Sequence, residues 1–197
     1  MKLAGAKADI ESAARAIEAM KQTRSFSEFR ENWETFLFRI EKAWQATEKT
    51  LRSKRAFGPW FKPYAKLRKK DPLLVYLRQA RNAVMHSVSP TVDKQLKLAV
   101  VDKSGRGFTV KSIASQLEKG VLTIDIESHD ILVDVEAKLV PTDAEAVRFK
   151  NRGKWYNPPW MHLDVRIADL HPVYLAELGL SFYKAFVEEA EHKFCKT

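Results

Sequence analysis

The hydrophobic period of this chain changes twice, and no other feature constrains its fold as much. From Met1 to about Val88 apolar residues recur every three or four positions, from Gln95 to Leu139 they alternate, and from Pro172 the helical spacing returns. Helices therefore bracket strands. A last helix with an apolar stripe needs partners, and the N-terminal helices are the ones available. The expected class is α+β: a mainly α-helical bundle with a small antiparallel β-sheet insertion before the C-terminal helix. We read residues 1–197 as a single domain: a helical part over 1–90, a β-rich insertion over 91–165, and a helix over 166–197 rejoining the bundle. Two separate domains are the alternative.

In the first section, Leu3, Ile10, Ala14, Ile17 and Met20 mark one helix face. Ser25 with Glu28 has the spacing of a capping box, and Phe26, Phe29, Trp33, Phe36, Leu37, Ile40 and Trp44 follow on a wide face that needs two neighbours. Gly58, Pro59 and Pro63 interrupt the next stretch and leave room for a short helical piece near Tyr64 to Lys70. Another long helix opens with Asp71 as N-cap and Pro72 at its first position, and ends before Pro90.

In the middle section, strands are expected over Gln95–Asp102, Phe108–Ser112, Val121–Glu127 and Ile131–Leu139, joined by turns at 103–107, 118–120 and 128–130 into an antiparallel meander. A further strand is expected near Val147–Lys150. The stretch NRGKWYNPPWMH, Asn151 to His162, is too rich in Pro, Gly and Asn for regular structure and reads as an ordered loop held by Trp155, Tyr156 and Trp160. From Pro172 a stripe of Val173, Ala176, Leu180, Tyr183, Val187, Ala190 and Phe194 continues to the end.

Composition narrows the function classes. With 45% hydrophobic residues, 7 Gly and 8 Pro in 197 residues, the chain can bury a real core. No run approaches the roughly 18 consecutive apolar residues of a membrane span, and MKLAGAKADIESAAR carries acid where a secretory leader is apolar, so a cytoplasmic protein with no membrane partner is expected. Cys195 is the single cysteine, which excludes a disulfide framework and a cysteine-based zinc site.

The net charge of +9 is concentrated. Between Arg52 and Lys70 stand Arg52, Lys54, Arg55, Lys62, Lys66, Arg68, Lys69 and Lys70 with no acid, which is +8 of the +9. Phe57, Trp60, Phe61 and Tyr64 are interleaved with them. Cations that neutralise phosphates, mixed with rings on which bases stack, suit single-stranded RNA, and Trp60, Tyr64 and Arg78 join the basic residues as candidate nucleic-acid contacts. The alternative is that the aromatics plug the core while the lysines solvate the outside.

The stretch LRQARNAVMHS, Leu77 to Ser87, is the other candidate site. At about 100° per residue, Leu73, Ala80, Val84 and Val88 cluster around Leu77, Arg81 sits on the shoulder of that face about 40° away, and Asn82 and His86 share the far side with Arg78 and Gln79. An arginine there must meet an acceptor, because guanidinium keeps its charge when desolvated. That acceptor could be a carboxylate such as Glu34 or Glu41. His86 near a helix C-terminus is also favourable through the helix dipole alone.

RNAVMH, Arg81 to His86, resembles the Arg-x4-6-His signature of HEPN domains, in which a polar residue, commonly Asn, follows the arginine near a helix end. The preceding DPLLVYLRQARNA is similar to a stretch that recurs in bacterial proteins of this general type. RIADLH, Arg166 to His171, has the same spacing but puts Ile after Arg and Pro after His, and is a decoy. The resemblance covers roughly Phe26 to Ser87 and the last helix, and leaves the strands unexplained. It implies a helical bundle that forms a homodimer, bringing Arg and His of both protomers into one cleft. It also implies a metal-independent endoribonuclease, needing no cofactor, of toxin-antitoxin, abortive-infection or CRISPR-associated systems, with a cognate antitoxin or other protein partner; some members are inactive.

On that resemblance Arg81, Asn82 and His86 are the catalytic candidates. His86 would take the proton from a 2′-hydroxyl or deliver one to the leaving 5′-oxygen, Arg81 would stabilise the pentavalent phosphate, and Asn82 would orient either. Arg81 and His86 lie about 140° apart on one regular helix, so a second protomer or a loosened helix end must complete the site. The runner-up is a non-catalytic module of the same fold, binding nucleic acid or protein through the basic segment and the strands. His129, His162 and His171 lack metal-ligand spacing, and no P-loop, dinucleotide fingerprint or nucleophile elbow is present.

Overall fold

A computed structural model describes the backbone of residues 3–86, 89–102, 110–118, 121–128 and 135–195, and the side-chain surroundings of 3–86, 89–94 and 143–195. The chain forms two compact units: Met1–Lys94 with Asp143–Thr197, and Gln95–Thr142. Five helices are present among the described residues, and the antiparallel β region precedes the last of them.

The first unit is built on helices α1 (Ala4–Gln22), α2 (Phe26–Leu51), α3 (Phe57–Lys70), α4 (Pro72–His86) and α5 (Pro172–Cys195). Along α1 the buried face is Ala6, Ile10, Ala13, Ile17 and Met20, with Ala14 only half-buried. It lies along α2, whose Trp33, Phe36, Leu37, Ile40 and Trp44 face α1 on one side and α5 on the other. Ser25 caps α2 by accepting from the Glu28 N–H at 3.4 Å. The reciprocal bond runs through Thr23, whose hydroxyl donates to Glu28 at 2.6 Å and accepts from the Ser25 N–H at 3.1 Å. Trp33 is fully buried, and its indole N–H donates to Thr91 Oγ1 at 3.0 Å.

The basic segment departs from its sequence reading. Instead of a short piece from Tyr64, α3 runs unbroken from Phe57 to Lys70 with Pro63 inside it. Pro59 occupies the first turn, where no N–H is needed. Pro63 forfeits one internal hydrogen bond, but Phe57, Phe61, Tyr64 and Arg68, spaced four, three and four residues apart, press one face into the bundle. Burying that face outweighs the proline.

α4 begins as expected. Asp71 Oδ1 accepts from the Leu74 N–H at 2.9 Å, and Leu73, Leu74, Tyr76, Leu77, Ala80 and Ala83 are buried. α5 approaches α4 closely at Gly179, where a β-carbon would stand 2.4 Å from Leu77 Cδ1.

Strand β1 (Val92–Asp102) pairs with β4 (Val135–Ala146), and β2 (Val110–Glu118) pairs with β3 (Val121–Ser128). The expected meander would have paired each strand with its successor. The β2–β3 register sets Ile113 opposite Ile126 and Leu117 opposite Leu122, with an irregularity between Val110 and Ser112. Expected positions 103–109, 119–120 and 129–134 lie outside the described residues.

The expected loop after Asn151 is two small antiparallel hairpins, β5 (Phe149–Asn151) with β6 (Lys154–Tyr156) and β7 (Met161–His162) with β8 (Val165–Arg166). Trp155 and Trp160 do not hold it, being 52% and 63% exposed. Polar anchors do: buried Asn151 donates to Gln79 at 2.8 Å, and buried His162 bonds Asp71. Tyr156 does contribute, stacking on Phe149. No helix among the described residues is long and apolar enough to cross a membrane.

Candidate functional site

α4 is a regular helix as far as His86, so the divergence of Arg81 and His86 expected from the helical wheel holds in the fold. Arg81 is half-buried on the flank toward α2, with its guanidinium carbon 5.2 Å from the Phe38 ring centroid. Neither Glu34 nor Glu41 pairs with it. It donates to the neighbouring side chain, Nη1 to Asn82 Oδ1 at 3.2 Å, and its Nε is buried without an acceptor. His86 is exposed, one turn beyond Asn82. Arg78, Asn82 and His86 form a row at four-residue spacing along the outer side of α4.

Beside Arg81 an open groove of about 590 Å³ runs between α2 and α4, lined by Phe38, Val84 and Met85 with Glu31, Glu34, Arg39 and Lys42 around them. Phe38 of α2 is 42% and Met85 of α4 46% exposed, so the two helices together present an apolar patch next to the polar row of α4.

Glu41 belongs to a different arginine. Arg68, though part of the basic run, is buried: it forms an ion pair with Glu41, donates from Nε to the Tyr183 hydroxyl at 3.0 Å, and lies 4.5 Å from the Trp44 ring centroid. Burial raises the Tyr183 phenol above its ordinary pKa, opposed by the charge of Arg68 and, more weakly, of Arg78. Arg68 is thus committed inside the fold.

Trp60 and Tyr64 are committed as well. Trp60 stacks on Phe186 at 5.5 Å and donates its indole N–H to Glu189 at 2.8 Å, and the Tyr64 hydroxyl donates to the other oxygen of the same carboxylate. Burial, followed by that hydrogen bond, pushes the Tyr64 phenol up to about 12. The two donors hold Glu189 below its ordinary value. Aromatic faces turned against α5 and a ring edge tied to a carboxylate leave these side chains little surface for stacking bases.

The lysines remain. Lys62, Lys66, Lys69 and Lys70 are exposed, and at about 100° per residue they fall within roughly a 100° arc on the solvent face of α3. Lys54 and Arg55 are exposed just before it, and Arg52 is tied to Glu48 at 2.9 Å. Sequence reasoning missed Glu189 altogether and did not foresee that Glu41 and Tyr183 bind Arg68, the contacts that sort the basic segment into inside and outside. The signal was the four-three-four spacing of Phe57, Phe61, Tyr64 and Arg68.

Elsewhere, a cleft of about 700 Å³ is lined by Arg24, Phe26, Phe29, Lys94, His171 and Tyr174 among others, none of them from the Arg81 set. His171 accepts from the Val173 N–H at 3.3 Å and so caps α5, and Arg166 of the decoy motif lies in β8. His129 is outside the described residues. Among the described residues no group of three or more His, Cys, Asp and Glu could hold a metal ion. No protein-family model, curated protein or solved structure matches this chain.

Proposed function

We propose that this protein is a HEPN-like, metal-independent endoribonuclease, cytoplasmic and acting as a homodimer, that cleaves RNA through attack of a 2′-hydroxyl. One observation carries the reading: among the described residues Arg81 is paired with Asn82 and with no carboxylate, while His86 is exposed one turn from that asparagine. An arginine serving only as a structural ion-pair partner would have taken an acid, and Glu41 is occupied by Arg68. The RNAVMH resemblance assigns the roles: Arg81 on the phosphate oxygens, His86 on the 2′-hydroxyl or leaving-group proton, Asn82 orienting them. Because Arg81 and His86 diverge on α4, the site needs a second protomer, and the exposed Phe38 and Met85 beside them offer it an apolar surface. Bacterial defence, toxin-antitoxin or stress response is the setting such an enzyme suits, with a cognate antitoxin or other protein as partner.

The test is incubation of purified protein with mixed RNAs in the presence of a chelator, beside Arg81→Ala and His86→Ala. The expected result is cleavage leaving 2′,3′-cyclic phosphate ends, lost in both variants; cleavage that persists in both, or none in any, sinks the reading.

A second reading has its own support. The exposed lysine face of α3 suits a polyanion without any chemistry, and a non-catalytic module binding single-stranded RNA through Lys62, Lys66, Lys69 and Lys70 would retain RNA while leaving it intact.

A further inference from the structure

Two polar side-chain atoms stand out among the described residues as buried without a hydrogen-bond partner, and they are the same atom of two arginines one turn apart: Nε of Arg78 and Nε of Arg81. Residues at this spacing have their β-carbons about 5–6 Å apart on one helix flank. A guanidinium cannot lose its proton to escape burial, so its charge and its remaining donors call for acceptors. Among the described residues, Glu41, Asp9, Glu31 and Glu34 do not meet them. Glu41 pairs with Arg68, Asp9 pairs with Arg39, and Glu31 and Glu34 lie in the neighbouring groove without entering ion-pair distance of either guanidinium. Among the described residues this flank of α4 therefore carries two half-buried positive charges in excess of its carboxylates, with forked donors that suit tetrahedral oxyanions.

We propose that Arg78 and Arg81 together hold one phosphate group, the phosphodiester of an RNA chain or a free phosphate, and that Arg78 is thereby a further anion-binding residue of the α4 site. Asn82 contributes to it. With its Oδ1 accepting from Arg81, its amide nitrogen is left to donate, and an oxyanion is an acceptor. In its link to RNA cleavage this rests on the reading above; in the binding of phosphate it does not. It differs from the lysine face of α3 in kind, since lysines meet a polyanion as point charges whereas paired guanidinium forks select the oxyanion's shape.

The full-length protein is titrated calorimetrically with sodium phosphate against sodium chloride at matched ionic strength, as wild type, Arg78→Lys, Arg81→Lys and, as a control on the exposed face of α1, Arg15→Gln. Lysine keeps the charge and removes the fork, so each of the first two is expected to weaken phosphate binding about ten- to a hundredfold, with Arg15→Gln unchanged. A second measurement needs no substitution: phenylglyoxal modification of the wild type, mapped by mass spectrometry, with phosphate or a short single-stranded RNA as protectant. Protection of Arg78 and Arg81 by both identifies the phosphodiester as occupant, and protection by phosphate alone identifies the free anion. An Arg78→Lys affinity within about twofold of wild type, or equal labelling of Arg78 with and without either protectant, overturns the proposal. RNA cleavage is scored separately, so phosphate binding without cleavage removes the enzyme and leaves this site, and cleavage with full phosphate affinity in Arg78→Lys does the reverse.

Discussion

The Asp71 carboxylate bonds the His162 ring at 3.0 Å while it caps α4, joining residues 91 apart in sequence at the start of the helix that carries the candidate site. Its second oxygen accepts from the Leu163 N–H at 2.7 Å, where Leu163 and Asp164 turn through left-handed backbone at φ of 46° and 64°. Replacing Asp71 with Ala removes the cap and leaves the buried His162 ring and the part-buried Leu163 N–H without their acceptor, for an expected loss of about 3 kcal/mol in urea unfolding. Burial works against the ionised carboxylate, but the bonds from His162, Leu163 and Leu74 outweigh it and hold Asp71 below its ordinary value. A depressed carboxyl stabilises the fold above the unfolded-state pKa of about 3.9, and that contribution is lost as pH falls further, through the folded-state value. Stability of the wild type should fall more steeply between about pH 4 and pH 2 than that of Asp71→Asn.

The buried Arg68–Glu41 pair makes an opposite kind of prediction, about what removal leaves behind. Glu41→Ala strands a buried guanidinium and should cost about 3–5 kcal/mol, whereas the double replacement Arg68→Met with Glu41→Leu should recover most of that loss. Denaturant midpoints of the two proteins check it; equal destabilisation would show that packing against Trp44, and not charge, sets the cost.

Period located the long helices α1, α2, α4 and α5 and the presence of strands between α4 and α5, and Asp71-Pro72 located the start of α4, because those signals act within a turn or two of chain. Strand partners were not legible: alternation marks a strand, while the pairing of β1 with β4 depends on chain more than thirty residues away. α3 was misread because Gly58, Pro59 and Pro63 are local breakers and the burial that overrides them comes from α2 and α5. Arg68 looked like one more cation for the same reason. Of the candidate site, the wheel position of Arg81 and the divergence from His86 were readable, whereas the fate of Arg81 was not, since it depended on which acid Arg68 had taken.

The sorting of α3 into an aromatic inside and a lysine outside predicts different consequences for its two sets of residues. Neutralising Lys62, Lys66, Lys69 and Lys70 to Gln should lower the slope of log affinity against log salt for single-stranded RNA by about 3, at about 0.7 per phosphate contact, with thermal stability little changed. Trp60→Leu should leave the slope alone and lower stability, because its ring packs on Phe186 and its N–H is bound to Glu189. Filter binding over a salt series separates the two, and a slope unchanged by the four substitutions would remove the lysine face from RNA contact.

If the cleavage site is shared between protomers, defects in Arg81 and His86 must complement each other. Arg81→Ala and His86→Ala proteins are each inactive, and a mixture that exchanges subunits yields about half heterodimers. In each heterodimer one of the two composite sites combines the intact Arg81 of one chain with the intact His86 of the other, so activity should return to about a quarter of wild type. A site contained in one chain gives no recovery on mixing, and so does a protein that stays monomeric in sedimentation. The Phe38–Met85 patch separates those cases: Phe38→Glu should abolish complementation and dimerisation together if that patch is the contact, since a charge there would be desolvated on association.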